Sequence, residues 1–286
     1  MMPWSFLRGC TLVGFLSLAA CGSDRGASPS PPVVNDVAVA TFVGSDACGA
    51  CHAQPLQRWQ GSHHELAMQR ATDASVAGRF DGQAIRTFGT SSRPFQRDGA
   101  FLFETQGADA RPHAFQVDYT LGVYPLQQYL VPTDNGRYQA LTIAWDTRAA
   151  KEGGQRWFNL QPEAAVPPGD ALHWTGASYN WNSRCAECHT TGLRKNFDAA
   201  TQKYASTWKE LGVGCESCHG PGSEHVRWVA LPEGAARNVR GDKGLVAGKL
   251  ASPISWTRDP GEVTAHASGA ASLLRPTALG TGAASA

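Results

Sequence analysis

Charged residues are scarce in this sequence, and neither sign of charge dominates. They make up 17% of the 286 residues, with 25 lysines and arginines against 24 aspartates and glutamates. The basic residues form no run along the chain. Because proteins that bind nucleic acid need a concentrated positive surface, the composition gives a nucleic-acid partner no support.

The start of the sequence also lacks an apolar run long enough to span a bilayer. The apolar stretch 11–20 is short, whereas a membrane-spanning helix needs about 20 residues. It follows a segment with one positive charge, which predicts a cleaved leader over residues 1–20, with an ordinary buried helix as the alternative. Leu18-Ala19-Ala20-Cys21 resembles the lipobox of bacterial lipoproteins, so Cys21 is predicted to be lipidated and to anchor the protein. Cleavage without lipidation would instead give a soluble periplasmic protein.

No cysteine remains for a structural disulfide. Of the eight cysteines, Cys10 lies in the leader and Cys21 is the lipidation site. The other six form three pairs of identical spacing, each followed directly by a histidine: Cys48-Gly49-Ala50-Cys51-His52, Cys185-Ala186-Glu187-Cys188-His189 and Cys215-Glu216-Ser217-Cys218-His219.

C-x-x-C-H is the attachment signature of c-type haem. Two thiols on one helical turn reach the two vinyl groups of one porphyrin, and the next residue brings an imidazole beneath the iron. We therefore predict three covalent haems c, with the six cysteines as thioether ligands and with His52, His189 and His219 as proximal iron ligands. A zinc ribbon, a single thioredoxin-like redox pair and a disulfide framework are the alternatives, and none of them explains a histidine after every pair.

Methionine is too rare to complete the coordination of three irons. Met68 is the only methionine outside the leader, so bis-histidine ligation and low reduction potentials are expected. Six histidines lie outside the motifs: His63, His64, His113, His173, His225 and His266.

Three of these histidines are predicted to be distal ligands. His225 lies six residues after His219, too close to wrap easily around its own porphyrin, so we expect it to ligate a neighbouring haem; a surface histidine is the alternative. His64 is preferred over His63, because a capping box at Ser62 predicts a helix with His64 and Met68 on one face.

The third predicted distal ligand is His173, for which a buried histidine satisfied by a hydrogen bond is an equal alternative. His113 and His266 are assigned no role. His113 lies in a polar stretch, and His266 lies in a part of the chain without any pattern.

The regions around the motifs differ in composition. Residues 21–40 are small, polar and proline-rich, which predicts a flexible tether, and residues 231–286 are predicted to be disordered. Between them, residues 41–230 form the predicted haem domain. Its segment 83–165 shows strand-like alternation, which predicts an inserted antiparallel sheet that acts as a scaffold or, alternatively, as a docking surface.

The stretch 174–228 holds two motifs and is too short for an ordinary hydrophobic core. We therefore expect the porphyrins to act as its core. Four tryptophans are predicted to pack on them: Trp174, Trp181, Trp208 and Trp228.

The motifs and their surroundings resemble the multihaem cytochromes of the cytochrome c-554 type, and in particular the cytochrome module that often precedes tetratricopeptide repeats. The resemblance covers residues 41–230, and the segments that carry it are Phe42–Cys48, Trp59–Met68, Trp174–Gly176 and Cys215–Ser223. It implies closely stacked bis-histidine haems and supports His64 and His225 as distal ligands. Such proteins usually carry a fourth C-x-x-C-H, so the chain is expected to be truncated at its C-terminal end.

Together these observations predict a multihaem cytochrome c, in which short α-helices and loops pack around covalent haems and a small antiparallel β-sheet is inserted. The predicted function is electron transfer outside the cytoplasm, between redox partner proteins, by a protein anchored to the inner or outer membrane through Cys21. An oxidoreductase that acts on a small nitrogen or sulfur compound is the alternative, since catalysis needs only one iron with an open distal position. A segment that merely presents partner domains is a third option.

Overall fold

The structure is a computed structural model that describes residues 39–232 and 243–245, together with the backbone of two strands at 254–257 and 275–278. All of these belong to one of the two units into which the chain divides, Val39–Ala286. The leader over 1–20, nearly all of the tether, Cys21 and His266 lie outside the described residues. Within the described part, no helix combines the length and the apolar character that crossing a membrane requires.

The helices are short and cluster at the three motifs. Their bounds are α1 Ser45–Gly49, α2 Ala53–Trp59, α3 Trp181–Arg184, α4 Ala186–His189, α5 Cys215–His219 and α6 Ser223–Ala230. Single 3₁₀ turns add to these at Glu65–Ala67, Asp134–Gly136, Ala150–Glu152 and Ala177–Tyr179.

Strands make up most of the region between the first and second motifs. They are β1 Met68–Arg70, β2 Ile85–Thr87, β3 Thr90–Arg97, β4 Ala100–Gln106, β5 Pro112–Gln116, β6 Tyr119–Leu121, β7 Leu126–Thr133, β8 Arg137–Ala140, β9 Ile143–Asp146 and β10 Arg156–Asn159. Short pairs follow: β11 Thr190–Thr191 with β14 Glu210–Leu211, β12 Phe197–Asp198 with β13 Lys203–Tyr204, and β15 Ile254–Thr257 with β16 Arg275–Ala278.

The ten strands β1 to β10 form two antiparallel sheets rather than one small sheet. Six of them are ordered β1-β6-β7-β9-β10, with β8 also paired to β7, and four are ordered β2-β3-β4-β5. The predicted mixed α and β composition with antiparallel pairing is confirmed. The larger sheet also takes in β1, which precedes the predicted insert, because a three-residue strand carries too little alternation to be recognised.

The extended segment 114–119 is divided between the two sheets. The Val117 amide donates to the Phe101 carbonyl of β4, whereas the next amide, that of Asp118, donates to the Leu130 carbonyl of β7. The chain therefore changes sheets between residues 117 and 118, and the apolar segment around them splits into β5 and β6.

The six-stranded sheet is buried on both faces. Along β7, Tyr129 and Val131 point into one core while Leu130, between them, points into another, as the two-residue period of a strand requires. The first core lies between the two sheets and contains Phe101, Phe103, Val117, Tyr129, Val131, Leu141, Ile143, Trp145 and Trp174. The second core lies against the second motif and contains Met68, Tyr119, Leu121, Leu130, Ala140, Trp181 and Ala186.

The prediction that four tryptophans pack on porphyrins is wrong for Trp174 and Trp181, and for Trp228, which lies beside His225, it stays a prediction. Trp181 is 0% exposed and Trp174 is 4% exposed, each enclosed by protein side chains. Trp208 packs on the second core beside Trp181. The stretch 174–228 has a hydrophobic core after all, because the inserted sheet supplies its other half.

The predicted helix after Ser62 is only a single turn. The Ser62 hydroxyl accepts from the Glu65 amide at 3.4 Å, and the Glu65 carboxylate accepts from the Gly61 amide, which resembles a capping box. The turn ends at Ala67, and Met68 begins β1 with its side chain in the second core. The prediction that His64 and Met68 share a helical face is wrong, since β-sheet pairing takes over at Met68.

Most of the segment predicted to be a disordered tail, 231–286, lies outside the described residues. The described part of it includes β15 and β16, which pair antiparallel with Ile254 opposite Ala278. The segment 243–245 lies against α6.

Candidate haem-binding site

Each C-x-x-C-H motif occupies about one helical turn. In the first, the His52 amide donates to the Cys48 carbonyl at 2.9 Å, and in the second the His189 amide donates to the Cys185 carbonyl at 3.1 Å. The third motif forms all of α5. A single turn of this kind presents two thiols and an imidazole along one surface, which suits one covalently attached porphyrin.

The six motif cysteines share one pattern of burial. The first cysteine of each pair is partly buried and the second is exposed, and all six are free thiols. Burial, reinforced by the charge of Cys215, raises the pKa of the Cys48 thiol to about 11, and burial also raises the pKa of Cys185. Six free thiols with one exposed member in each pair are suited to forming thioethers.

His225, which follows the third motif in the chain, lies opposite His52, the predicted proximal histidine of the first motif. The rings of His52 and His225 lie with their centroids 6.3 Å apart and their planes within 26°. A bond from an imidazole nitrogen to a first-row metal ion is about 2 Å long, so two imidazoles on opposite sides of one iron have centroids roughly 6 Å apart. The pair therefore fits the two axial positions of a single iron.

Two of the site's histidines are oriented by backbone carbonyls. His225 donates from Nδ1 to the Lys243 carbonyl at 3.0 Å, and His189 donates from Nδ1 to the Ala67 carbonyl at 2.7 Å. A carbonyl partner fixes the proton on Nδ1 and leaves Nε2 free as a ligand, the arrangement that usually supports a metal-bound imidazole.

A buried carboxylate joins the third motif to the segment that precedes the first. Glu216, the second residue of the third motif, is 2% exposed. Its two oxygens accept from the amides of Val43 (2.8 and 3.0 Å), Gly44 (2.7 Å) and Gly222 (2.7 Å). Three amide donors on two acceptor oxygens satisfy a carboxylate in a site that water does not reach.

A second carboxylate strengthens the same junction. Glu210 accepts from the Ser45 amide at 3.0 Å and from the Ser45 hydroxyl at 2.7 Å, and that hydroxyl accepts in turn from the Cys215 amide at 3.0 Å. A side chain at Gly214 would overlap the Glu210 carboxylate and displace it from this position. We call Glu210, Glu216 and Ser45 the carboxylate junction; it holds the first and third motifs together across more than 160 residues of chain.

The second motif is joined to the third by a hydroxyl. Thr191 is 1% exposed, and its Oγ1 accepts from the Gly214 amide at 2.8 Å and lies 2.7 Å from Ser217 Oγ. The strand pair β11–β14 lies beside it, and the Gly212 amide donates to the His189 carbonyl at 3.0 Å. All three motifs therefore meet around residues 210–217.

The chain matches one protein-family model, described as cytochrome c554 and c-prime, over residues 47–87 and 160–220. The chain belongs to the cytochrome c-554 type. These two segments contain every cysteine and histidine of the three motifs, and most of the inserted strands fall between them. Searches of curated proteins and of solved structures return no match. The predicted resemblance is confirmed, and the protein is a c-type cytochrome that carries covalent haem c and transfers electrons.

The donor set of this cytochrome fits haem better than a bare metal ion. Within the described residues, no three His, Cys, Asp or Glu side chains converge to hold an ion. A porphyrin contributes four nitrogen ligands itself, so each iron needs only one or two protein ligands, which the separate motifs offer.

The predicted distal ligands have different surroundings in the cytochrome. His225 meets His52, as described. His64 has an exposed side chain, and its carbonyl accepts from the Val213 amide at 2.8 Å, so its backbone lies beside the approach to the third motif. His63 is also exposed and packs near Tyr124, with ring centroids 6.2 Å apart.

His173 lies in the core between the sheets. It is 7% exposed, its Nδ1 is 2.8 Å from Thr175 Oγ1, and burial lowers its pKa. These contacts agree with the buried, hydrogen-bonded alternative, and its assignment as a distal ligand stays a prediction. His113, to which no role was assigned, pairs with the Asp109 carboxylate at 3.0 Å on the surface.

A cavity of about 740 Å³ forms an open cleft beside β8 and α3. Its walls include Arg137, Trp174 and Arg184 but none of the motif cysteines or histidines. Cavity volume would therefore not locate the candidate haem site, because covalent attachment of a porphyrin depends on accessible thiols rather than on a closed pocket.

Sequence reasoning missed the residues that bring the motifs together. Glu210, Ser45 and Thr191 lie outside the motifs, and Glu216 occupies a position that the motif leaves variable. Their partners are distant in sequence and mostly backbone amides, which leave no pattern in the residue types. The sequence offered one signal for these contacts, which is the charged residue Glu216 inside a haem motif.

Proposed function

We propose that this cytochrome is an exported electron carrier with three covalent haems, held by the cysteine pairs Cys48/Cys51, Cys185/Cys188 and Cys215/Cys218. His52, His189 and His219 serve as proximal ligands. Haem supplies reversible one-electron chemistry at iron, and the chain supplies attachment, axial ligands and a fixed spacing. The observation that carries the proposal is the His52–His225 pair, whose separation suits a six-coordinate iron with both axial positions filled.

Closed coordination favours transfer over catalysis. An iron held by His52 and His225 would have no open position for a substrate, which favours electron transfer. We assign His225 as the distal ligand of the haem held by Cys48 and Cys51. Since His225 follows the third motif, this ligand links the first haem to the chain segment that binds the third.

The contacts between motifs support exchange of electrons among the haems. The Cys215 amide donates to Ser45 Oγ at 3.0 Å, beside the first motif, and residues 210–217 contact all three motifs. Attachment points joined in this way would hold the three haems close enough to exchange electrons.

The location is part of the proposal. Haem attachment and the lipobox-like Cys21 favour an exported protein, anchored by lipid on the periplasmic side of the inner or outer membrane. Its partners there are other redox proteins, one donating and one accepting electrons.

The haem count is tested by the mass of the intact purified protein. We expect the processed polypeptide plus three haems. A mass with two haems or fewer would contradict the proposal, whatever the spectrum shows.

Axial ligation is tested by low-temperature paramagnetic resonance of the oxidised protein. Low-spin signals alone are expected, and His225→Ala should convert one haem to high spin because its iron loses a ligand. His113→Ala is the matched control and should leave the spectrum unchanged, since His113 is paired with Asp109 on the surface. A high-spin signal in the unmodified protein would favour the oxidoreductase alternative.

A further inference from the structure

The carboxylate junction places two negative charges between the first and third motifs. Glu216 is 2% exposed and Glu210 is partly buried. Their hydrogen-bond donors are backbone amides and one hydroxyl. Among the described residues, neither carboxylate takes part in an ion pair, so dipoles rather than opposite charges satisfy them.

These charges act on the points where two haems attach. Glu216 directly follows Cys215 in the chain and accepts from the amide of Gly44, whose carbonyl lies 3.9 Å from Cys48 Sγ. The charges of Glu216 and Glu210 would therefore lie close to a porphyrin attached at Cys48 or Cys215. Solvent screening is weak at this position, because Glu216 is buried.

We propose that Glu216 and Glu210 lower the reduction potentials of the haems attached at Cys48/Cys51 and Cys215/Cys218. Reduction removes one positive charge from a haem, so a fixed negative charge nearby favours the oxidised form. The two carboxylates are positioning residues: they touch no iron, and they act through the charge and the contacts that they bring to the two attachment segments. The inference rests on the proposed function, since it needs haems at both motifs.

The test is a spectroelectrochemical titration of the haem-loaded protein and of Glu216→Gln. We expect at least one of the three reduction equilibria to shift tenfold towards the reduced form, which is 59 mV for one electron. Glu187→Gln is the matched control. It makes the same change of charge inside the second motif, but Glu187 is 41% exposed and 3.7 Å from Lys195, so each equilibrium should move less than twofold.

A second variant keeps the inference testable if Glu216→Gln misfolds. Glutamine at 216 offers one acceptor oxygen where three amides donate, so this variant risks loosening the junction. Glu210→Gln is gentler, because an amide oxygen accepts from the Ser45 amide while its NH₂ group donates to the Ser45 hydroxyl. We expect the same direction of shift, at least threefold, with the haem content unchanged by mass.

The outcomes separate the inference from the proposed function. Three attached haems with every equilibrium within twofold of the unmodified protein in Glu210→Gln would overturn the inference and leave the electron carrier intact. An unmodified protein without three haems would overturn the proposed function itself. A shift in Glu187→Gln as large as in Glu216→Gln would also overturn the inference, since burial at the junction would then be irrelevant.

Discussion

The second motif and the pair formed by the first and third motifs are held in place by different forces. The second motif sits on the six-stranded sheet, with Trp181 and Ala186 both 0% exposed in its second core. The first and third motifs meet through hydrogen bonds to Glu216, Glu210 and Ser45. One attachment site is positioned by apolar burial and the other two by directional polar contacts.

This difference shows two ways in which a chain can fix the spacing of its motifs. Apolar burial stabilises strongly but tolerates small shifts, because it depends on area rather than on direction. Hydrogen bonds to buried carboxylates contribute less but fix distance and angle. The first and third motifs are the ones held by the directional contacts.

The largest effect is expected in the second core, where apolar burial contributes most. Trp181→Ala removes a fully buried indole that packs against Tyr138 and Trp208, and it should lower the free energy of unfolding by about 3–5 kcal/mol. Denaturant unfolding of the haem-loaded protein measures this.

Trp181→Phe is the control for that loss. It keeps an aromatic ring and removes an indole N–H that has no hydrogen-bond partner among the described residues, so the loss should be clearly smaller. An equal loss in the two variants would mean that the indole is held by something other than packing.

A smaller effect is expected at the polar junction. Ser45→Ala leaves the Cys215 amide and a Glu210 oxygen without their partner, which should lower the free energy of unfolding by about 1–3 kcal/mol. Ser91→Ala, at an exposed position of β3, should change it by less than about 0.5 kcal/mol. Equal destabilisation by Ser45→Ala and Trp181→Ala would contradict the view that the second core contributes more to stability than the carboxylate junction.

The smallest effect is expected at Asp146, a buried carboxylate at the end of β9. Arg148, by its hydrogen bonds to Asp146, holds the pKa of Asp146 below its ordinary value of 3.8. Its contribution to stability is therefore full above that value and is lost as the pH falls through the lower folded pKa. Asp146→Asn should destabilise the protein at neutral pH by about 1 kcal/mol, discounted because Arg148 is partly exposed.

The difference between this variant and the unmodified protein should shrink in acid. Denaturant unfolding at neutral pH and at about pH 3 measures it. A difference independent of pH would show that the loss comes from packing and not from the ion pair.

The sequence was informative wherever the chemistry is local. The three C-x-x-C-H motifs follow from spacing, and the family from the resemblance of the residues around them. The alternation in segment 83–165 predicted strands, and β2 to β10 lie within that segment. Prediction from the sequence failed where a structural element depends on residues that are distant in the chain. The helix expected after Ser62 ends at Ala67 because Met68 pairs with Leu121, and Trp181 meets protein instead of porphyrin because Leu130 and Ala140 lie opposite.

The sequence by itself identified the three C-x-x-C-H motifs, since thioether attachment needs two cysteines and a histidine within one helical turn. Only the tertiary structure decided how the motifs are arranged. It places His225 opposite His52, Glu216 against the amides of Val43 and Gly44, and the second motif on a sheet. These contacts join segments far apart in the chain, often through backbone groups that every residue carries, so no local pattern records them.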